Sequence, residues 1–263
     1  MSHPTTIIHP NPTVLAQAVA ARTLLTIGDL LAEPGRTRVD IAVTGGTDGN
    51  RVLAAVKDSP LAAAVDWSRV HVWWGDERFV PADDADRNAG QARAILFDSL
   101  IESGAMPAAN LHEMPADRRC ADEIAAASPA ATDAVLAAAA ADYQRELIAE
   151  LGDEPRLDIA MFGMGPDAHF ASLFPGLPQV LIDDPHVLVA GVRDSPKPPP
   201  LRVTLTVPMI ARSRHTWMIT SEARKAEAVA HVFADARNPQ APSSFAAGDE
   251  LLWLVDEGAA SLL

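Results

Sequence analysis

The sequence predicts an α/β protein, Rossmann-like in plan: a mainly parallel sheet with helices on both faces. Three observations carry this. Short apolar runs recur along the chain, and stretches with helical spacing of apolar residues separate them. The runs are apolar almost throughout rather than alternating, as strands buried on both faces are. Polar, glycine-bearing sequences follow three of the runs, as loops at one edge of a parallel sheet do. With 263 residues, 48% of them hydrophobic, the chain can bury one sizeable core, and we read residues 1–263 as a single domain.

Asn11 and Pro12 read as an N-cap and first-turn proline, after which Val14, Ala18, Ala21 and Leu25 line one helix face. Val39–Val43 is a buried strand, and a helix follows around Asp48–Val56. Val70–Trp74 is the next strand, with a helix around Ala89–Leu100. Trp73 and Trp74 are assigned to strand packing. Residues 105–129, rich in Pro, Ala and charge, mix loop with a short helix. Thr132 is positioned to cap a long helix on which Leu136, Ala140, Tyr143, Leu147 and Leu151 keep helical spacing. Leu157–Phe162, Val187–Val192, His215–Thr220 and Leu251–Val255 are further strands, and residues 235–249 read as a surface connection.

The formal charge of −14 argues against a nucleic-acid binder, which needs a basic face. A small anionic ligand is still allowed, since a pocket needs only a few local cations. The one cysteine, Cys120, rules out an internal disulfide and fits a reducing compartment. The start MSHPTTIIHP lacks the basic-then-apolar order of a signal peptide, and the alanine-rich run around Val135–Ala141 is too short to span a bilayer. The expectation is a soluble, cytoplasmic chain without membrane or nucleic-acid partners, a monomer or small homo-oligomer.

The most informative stretch is GMGPDAHFASLFPG, Gly163 to Gly176. It sets Asp167 and His169 on a turn broken by glycine and proline at the end of a buried strand. An imidazole so held is a candidate general base near neutral pH. The spacing Gly163-x-Gly165-x-x-Ala168 matches a dinucleotide fingerprint only formally, because Pro166 disturbs the required helix start. Two more loops follow strands. Thr44-Gly45-Gly46-Thr47 precedes a helix, where bare amides and the Thr47 hydroxyl suit a phosphate. In Gly75-Asp76-Glu77-Arg78, Arg78 could pair bidentately with a phosphate while the acids orient it. Arg224 and Lys225 fall in the first turn of a helix that Ser221 would cap, where cations oppose the helix dipole unless an anion binds. Lys197-Pro198-Pro199-Pro200 reads as a stiff extended segment holding Lys197 and Arg202 at a fixed separation. His71, His112, His186, His215 and His231 lack metal-ligand spacing and are read as structural or surface residues.

These residues resemble a known family. GMGPDAHFASLFPG is similar to the 6-phosphogluconolactonase signature, usually GMGxDGHTASLFPG. VHVWWGDERFVP with Asn88, DSPKPPPLRVTLT, Lys225-Ala226 and LLWLVDEGA resemble its later blocks, in order. The resemblance implies the fold shared with glucosamine-6-phosphate deaminases and hydrolysis of 6-phospho-D-glucono-1,5-lactone to 6-phosphogluconate in the oxidative pentose phosphate pathway. It implies no metal and no organic cofactor, with a phosphosugar lactone as the small-molecule partner. On this reading His169 activates water and Asp167 orients or stabilises its imidazole. Gly45, Gly46, Thr47, Asp76, Arg78, Asn88, Lys197, Arg202 and Lys225 contact the substrate and its phosphate.

Three positions depart from the family pattern. Ala168 replaces the usual glycine, a strain of roughly 1–2 kcal/mol if the backbone there requires φ > 0. Phe170 replaces Thr and removes a hydroxyl near the base. Thr47-Asp48-Gly49 replaces Ser-Thr-Pro and alters the helix entry. Two alternatives remain: a glucosamine-6-phosphate deaminase or isomerase, whose Ile-Ala-Phe-Asn-Glu-Pro motif is absent here, and a non-catalytic sugar-phosphate sensor.

Overall fold

The computed structural model describes residues 5–263; the first four residues, part of the stretch read for a signal sequence, lie outside it. Asn11 opens the first helix as expected: its side-chain oxygen accepts from the Val14 N–H at 3.0 Å, and Pro12 takes the first turn, where no donor is lost. The chain begins β1 (Thr5–His9), α1 (Pro12–Leu31), β2 (Val39–Val43), α2 (Gly46–Asp58), β3 (Val70–Trp74) and β4 (Asp76–Arg78). Next come α3 (Asn88–Ala92), α4 (Asp98–Glu102), β5 (Leu111–His112), α5 (Ala121–Ala126) and α6 (Pro129–Leu151). The last part runs β6 (Ile159–Gly163), β7 (Val189–Val192), β8 (Arg202–Leu205), α7 (Val207–Ala211), β9 (His215–Thr220), α8 (Ala226–Ala234) and β10 (Glu250–Asp256).

Seven strands form one sheet in the order β1-β10-β9-β6-β2-β3-β5, every neighbouring pair parallel. From β2 the chain builds outward through β3 and β5; from β6 it builds the other way through β9 and β10. The junction of β2 and β6 is therefore the topological switch point, where open α/β sheets bind ligands beyond their strand ends. Registers of Val43 with Trp74 and of Gly163 with Ile219 bring the ends of four strands to one rim.

Helices cover both faces, as predicted. Ala42 pairs with Trp73 and Ala160, so Met161, one residue on, points to the opposite face from Trp73. Thr23 of α1 reaches Met161, while Tyr143 of α6 lies edge-on to Trp73 with ring centres 5.9 Å apart. Trp73 and Trp74 are fully buried, the packing role expected of them.

Several expectations need correction. Residues 187–192 do not join the main sheet: β7 pairs antiparallel with β8, and β8 with β4, in a separate three-stranded sheet. Apolar pattern gives burial but not pairing partner. The same small sheet turns Asp76–Arg78, read as loop, into β4. The apolar pattern does not show edge strands β1 and β5, because the first, TTIIH, has only two apolar residues and the second spans two residues. Ser128, not Thr132, caps α6 through its hydroxyl; Thr132 is buried within the helix.

On α1 the buried face is Leu15, Val19, Leu24, Ile27 and Leu30, with Leu25 exposed, one position from the stripe predicted. An almost uniformly apolar helix offers two such stripes, and packing selects between them. α1 is also the one helix among the described residues with the length and apolarity to cross a membrane, and its buried face instead serves the core. Residues 235–249 are no mere surface connection, since Ala241, Pro242 and Ser243 are buried.

Candidate active site

The loop after β2 leads into α2 through Gly45 and Gly46, the latter at φ 76°. No side chain caps this helix, so its first amides remain available to an anion. Gly45 is required by close approach: a Cβ there would lie 1.8 Å from the Asn88 side-chain oxygen. Asn88 is itself fixed by donating to the Asp76 carbonyl at 2.9 Å. Glu77, fully buried, accepts from the backbone N–H groups of Arg78, Asn88 and Ala89. Burial pushes its carboxyl up, against the opposing pull of Arg87 and these amides.

The β6 loop makes a hairpin-like turn. Ala168 N–H donates to the Gly165 carbonyl and Gly165 N–H to the His169 carbonyl, both at 3.0 Å, with Pro166 in the second turn position it favours. Ala168 follows at φ 60°, the left-handed position glycine fills in such loops. The condition for strain named above is thus met. A Cβ on Gly165 would fall within 2.5 Å of both His169 and Asp167, so this glycine makes room for the pair.

Asp167 Oδ1 lies 2.5 Å from His169 Nδ1 and accepts from Lys197 Nζ at 2.9 Å. An ionised carboxylate only accepts, so Nδ1 carries the proton and the lone pair sits on Nε2. Lys197 Nζ also stands 3.0 Å from Nδ1, because both donors converge on one oxygen. Burial alone would raise the Asp167 carboxyl; His169 and Lys197 outweigh it and hold the group well below the ordinary carboxylate range. Phe174 flanks the imidazole, ring centres 4.5 Å apart.

The cations are each tethered. Arg202, nearly buried, donates to the carbonyls of Lys197, Pro198 and Pro199, and burial pulls its guanidinium below its usual value. Residues 195–200 close on themselves, with Ser195 N–H on the Pro200 carbonyl at 2.9 Å. The predicted extended segment is therefore a tight loop pinned by Arg202. Lys225 donates to Asp48 Oδ2 at 2.8 Å, and Asp48 also accepts from Ser221 N–H. Ser221 serves Asp48 and caps no helix; Arg224 and Lys225 precede α8 in a short 3₁₀ turn. The Arg78 guanidinium is held by the Asp86 carbonyl and not by the neighbouring acids: Asp76 accepts from Ser172 Oγ at 2.6 Å and Glu77 from backbone amides.

These groups line one cleft of about 280 Å³ at the switch point. Its wall contains Gly45, Gly46, Thr47, Asp76, Arg78, Asn88, His169, Lys197, Arg202 and Lys225, with Asp167 behind the imidazole. Five cationic side chains meet two carboxylates there, an electropositive patch in a chain of charge −14. Sequence reasoning missed the pairing of Asp48 with Lys225 and the seat of Asp76 on Ser172; both are long-range contacts with no local signal. It also missed His71 and His112, which β3 and β5 bring to 2.9 Å, N to N. With Glu150 they form the one metal-like cluster among the described residues. The rings meet end to end, since 5.2 Å between centres is that contact plus the two ring radii. A metal about 2.0–2.1 Å from each nitrogen has no room between them. Arg38 also engages Glu150, so the donor set does not fit a metal.

Comparison with known proteins identifies the family. The family model described as glucosamine-6-phosphate isomerases/6-phosphogluconolactonase matches residues 10–253. The 6-phosphogluconolactonase of Streptomyces coelicolor is 39% identical, over 99% of this chain and 95% of its own. That of Mycobacterium tuberculosis is also 39% identical, over 97% of each chain. The solved 6-phosphogluconolactonase of Trypanosoma brucei superposes with a TM-score of 0.81 at 25% identity, over 100% of both chains. A monomeric glucosamine-6-phosphate deaminase, at 16% identity and TM-score 0.74, covers 98% of this chain and 100% of its own, and shares the fold. The chain belongs to the glucosamine-6-phosphate isomerase/6-phosphogluconolactonase family.

Proposed function

We propose that this protein hydrolyses 6-phospho-D-glucono-1,5-lactone to 6-phospho-D-gluconate, with His169 as general base. The observation that carries the reading is the meeting, in one cleft, of a carboxylate-braced imidazole with an uncapped helix N-terminus and five cations. His169 Nε2 takes a proton from water as its oxygen attacks the lactone carbonyl. The tetrahedral oxyanion then collapses, the bond from carbonyl carbon to ring oxygen breaks, the imidazolium returns the proton to that oxygen, and the new carboxylic acid loses its proton to solvent. General-base assistance of this kind contributes about 10²–10⁴-fold. Asp167 stabilises the imidazolium in between. The α2 amides with Thr47, Arg78 and Lys225 grip the 6-phosphate, Asn88 and Asp76 shape the floor, and Lys197 and Arg202 fix the loop facing the base. Binding energy from the phosphate thus positions the distant carbonyl.

We read the chain as one domain acting as a monomer or small homo-oligomer in the cytoplasm, in the oxidative pentose phosphate pathway, without nucleic-acid or membrane partners. The test supplies lactone from a glucose-6-phosphate dehydrogenase and follows its loss above the spontaneous rate. The intact protein should accelerate opening, and H169A should lose about 10²–10⁴-fold in kcat while still binding 6-phosphogluconate. Near-normal turnover by H169A removes the imidazole from the mechanism. Ammonia release from glucosamine 6-phosphate, which we expect to be nil, would favour the deaminase reading.

A further inference from the structure

We infer that Ser243 is a positioning residue for the catalytic turn: it holds Ala168 in the left-handed conformation and thereby sets the direction of Asp167 and His169. The inference rests on the reading of His169 as the base. Ala168 lies between the two functional side chains in sequence, at φ 60° and 2% exposed. A glycine adopts this conformation freely; alanine does so only where its surroundings determine it. The surroundings here are specific. The Ala168 carbonyl accepts two hydrogen bonds from one residue, from Ser243 N–H at 2.9 Å and Ser243 Oγ at 2.8 Å.

The donor is itself rigid. Ser243 is 1% exposed, and its loop is closed by Ala241 N–H on Asn238 O, Ser244 N–H on Ala241 O, and Asn238 N–H on Ser244 Oγ. Relaxing Ala168 to negative φ would swing the peptide between residues 168 and 169. That movement takes the carbonyl off both donors and leaves it buried without a partner. It also parts the imidazole from the carboxylate, whose contact spans only two residues. Ser243 thus supplies from across the fold the backbone conformation that glycine would adopt unaided.

The test is a cycle of S243A, A168G and the double variant, read by lactone turnover, thermal melting and the His169 imidazole ¹H–¹⁵N correlation. S243A should lower kcat roughly tenfold with KM within about twofold, as expected for a displaced base rather than a lost binding contact. In the A168G background the same substitution should cost less than about twofold, and the imidazole correlation should return to its original position. Unchanged kcat in S243A, or an equal loss in both backgrounds, overturns the inference. If S243A alone does not fold, the double variant must; failure of both also overturns it. Absence of lactone turnover in the unmodified protein would defeat the proposed reaction, while the imidazole correlation would still decide the role of Ser243.

Discussion

Asp167 shows how one carboxylate can be both brace and titration reporter. It accepts from His169 and Lys197 together, and they hold its carboxyl well below the ordinary range. D167N keeps the shape but favours the wrong imidazole tautomer, so kcat should fall by roughly 10²–10⁴. The same pairing ties stability to pH. A carboxyl lowered in the folded state stabilises above its unfolded value, near 3.9, and that contribution disappears as pH falls through the folded value. The melting-temperature gap between wild type and D167N should therefore be widest near neutrality, begin to narrow below about pH 4, and close only as pH falls through the lowered folded value. A gap independent of pH would show that the pairing does not act through ionisation. Both residues were legible in the sequence, because a glycine- and proline-broken turn after an apolar run restricts what the chain can do there. Asp48 was not: only folding brings it to Lys225, 177 positions away.

Among the elements, the start of α2 is the sharpest case of sequence dictating a site. Gly45 leaves its Cβ position to the Asn88 amide, and no side chain closes the helix end. G45A should push Asn88 aside and disorder the amides that face the cleft, raising KM for the phosphosugar at least about tenfold with a smaller change in kcat. Steady-state kinetics checks this; an unchanged KM would dissociate α2 from phosphate binding. Five of the seven strands of the main sheet were predictable to within one or two residues, since a five-residue apolar run bounded by polar loops has few alternatives; the edge strands β1 and β5 were not. Nor was strand pairing, as β7 shows by joining β8 outside the main sheet. Caps were readable where a local bond decides, as at Asn11, and misread at Thr132 and Ser221, where a neighbour or a distant carboxylate competed.

At the scale of the whole molecule, the proposed reaction assigns a role to groups of one chain alone, and if these suffice, specific activity should stay constant on dilution from micromolar to nanomolar protein. A fall on dilution, matched by a change in sedimentation, would mean that association completes the site. The shared rim was legible in outline, because three loops following three parallel strands must emerge on one edge. The tethers on the two lysines were not, since Asp167 and Asp48 reach Lys197 and Lys225 from 30 and 177 positions away. One such tether bears on throughput. On the proposed reading Lys225 meets an incoming phosphate with Asp48 already upon it, inside a chain of charge −14. Ring opening converts a neutral ester into a second anionic group on the same small molecule. On that reading the five cations of the cleft therefore hold the product at least as firmly as the lactone. The net negative charge of the rest of the chain, felt out to roughly 10 Å in ordinary salt, favours departure only once the product has left them.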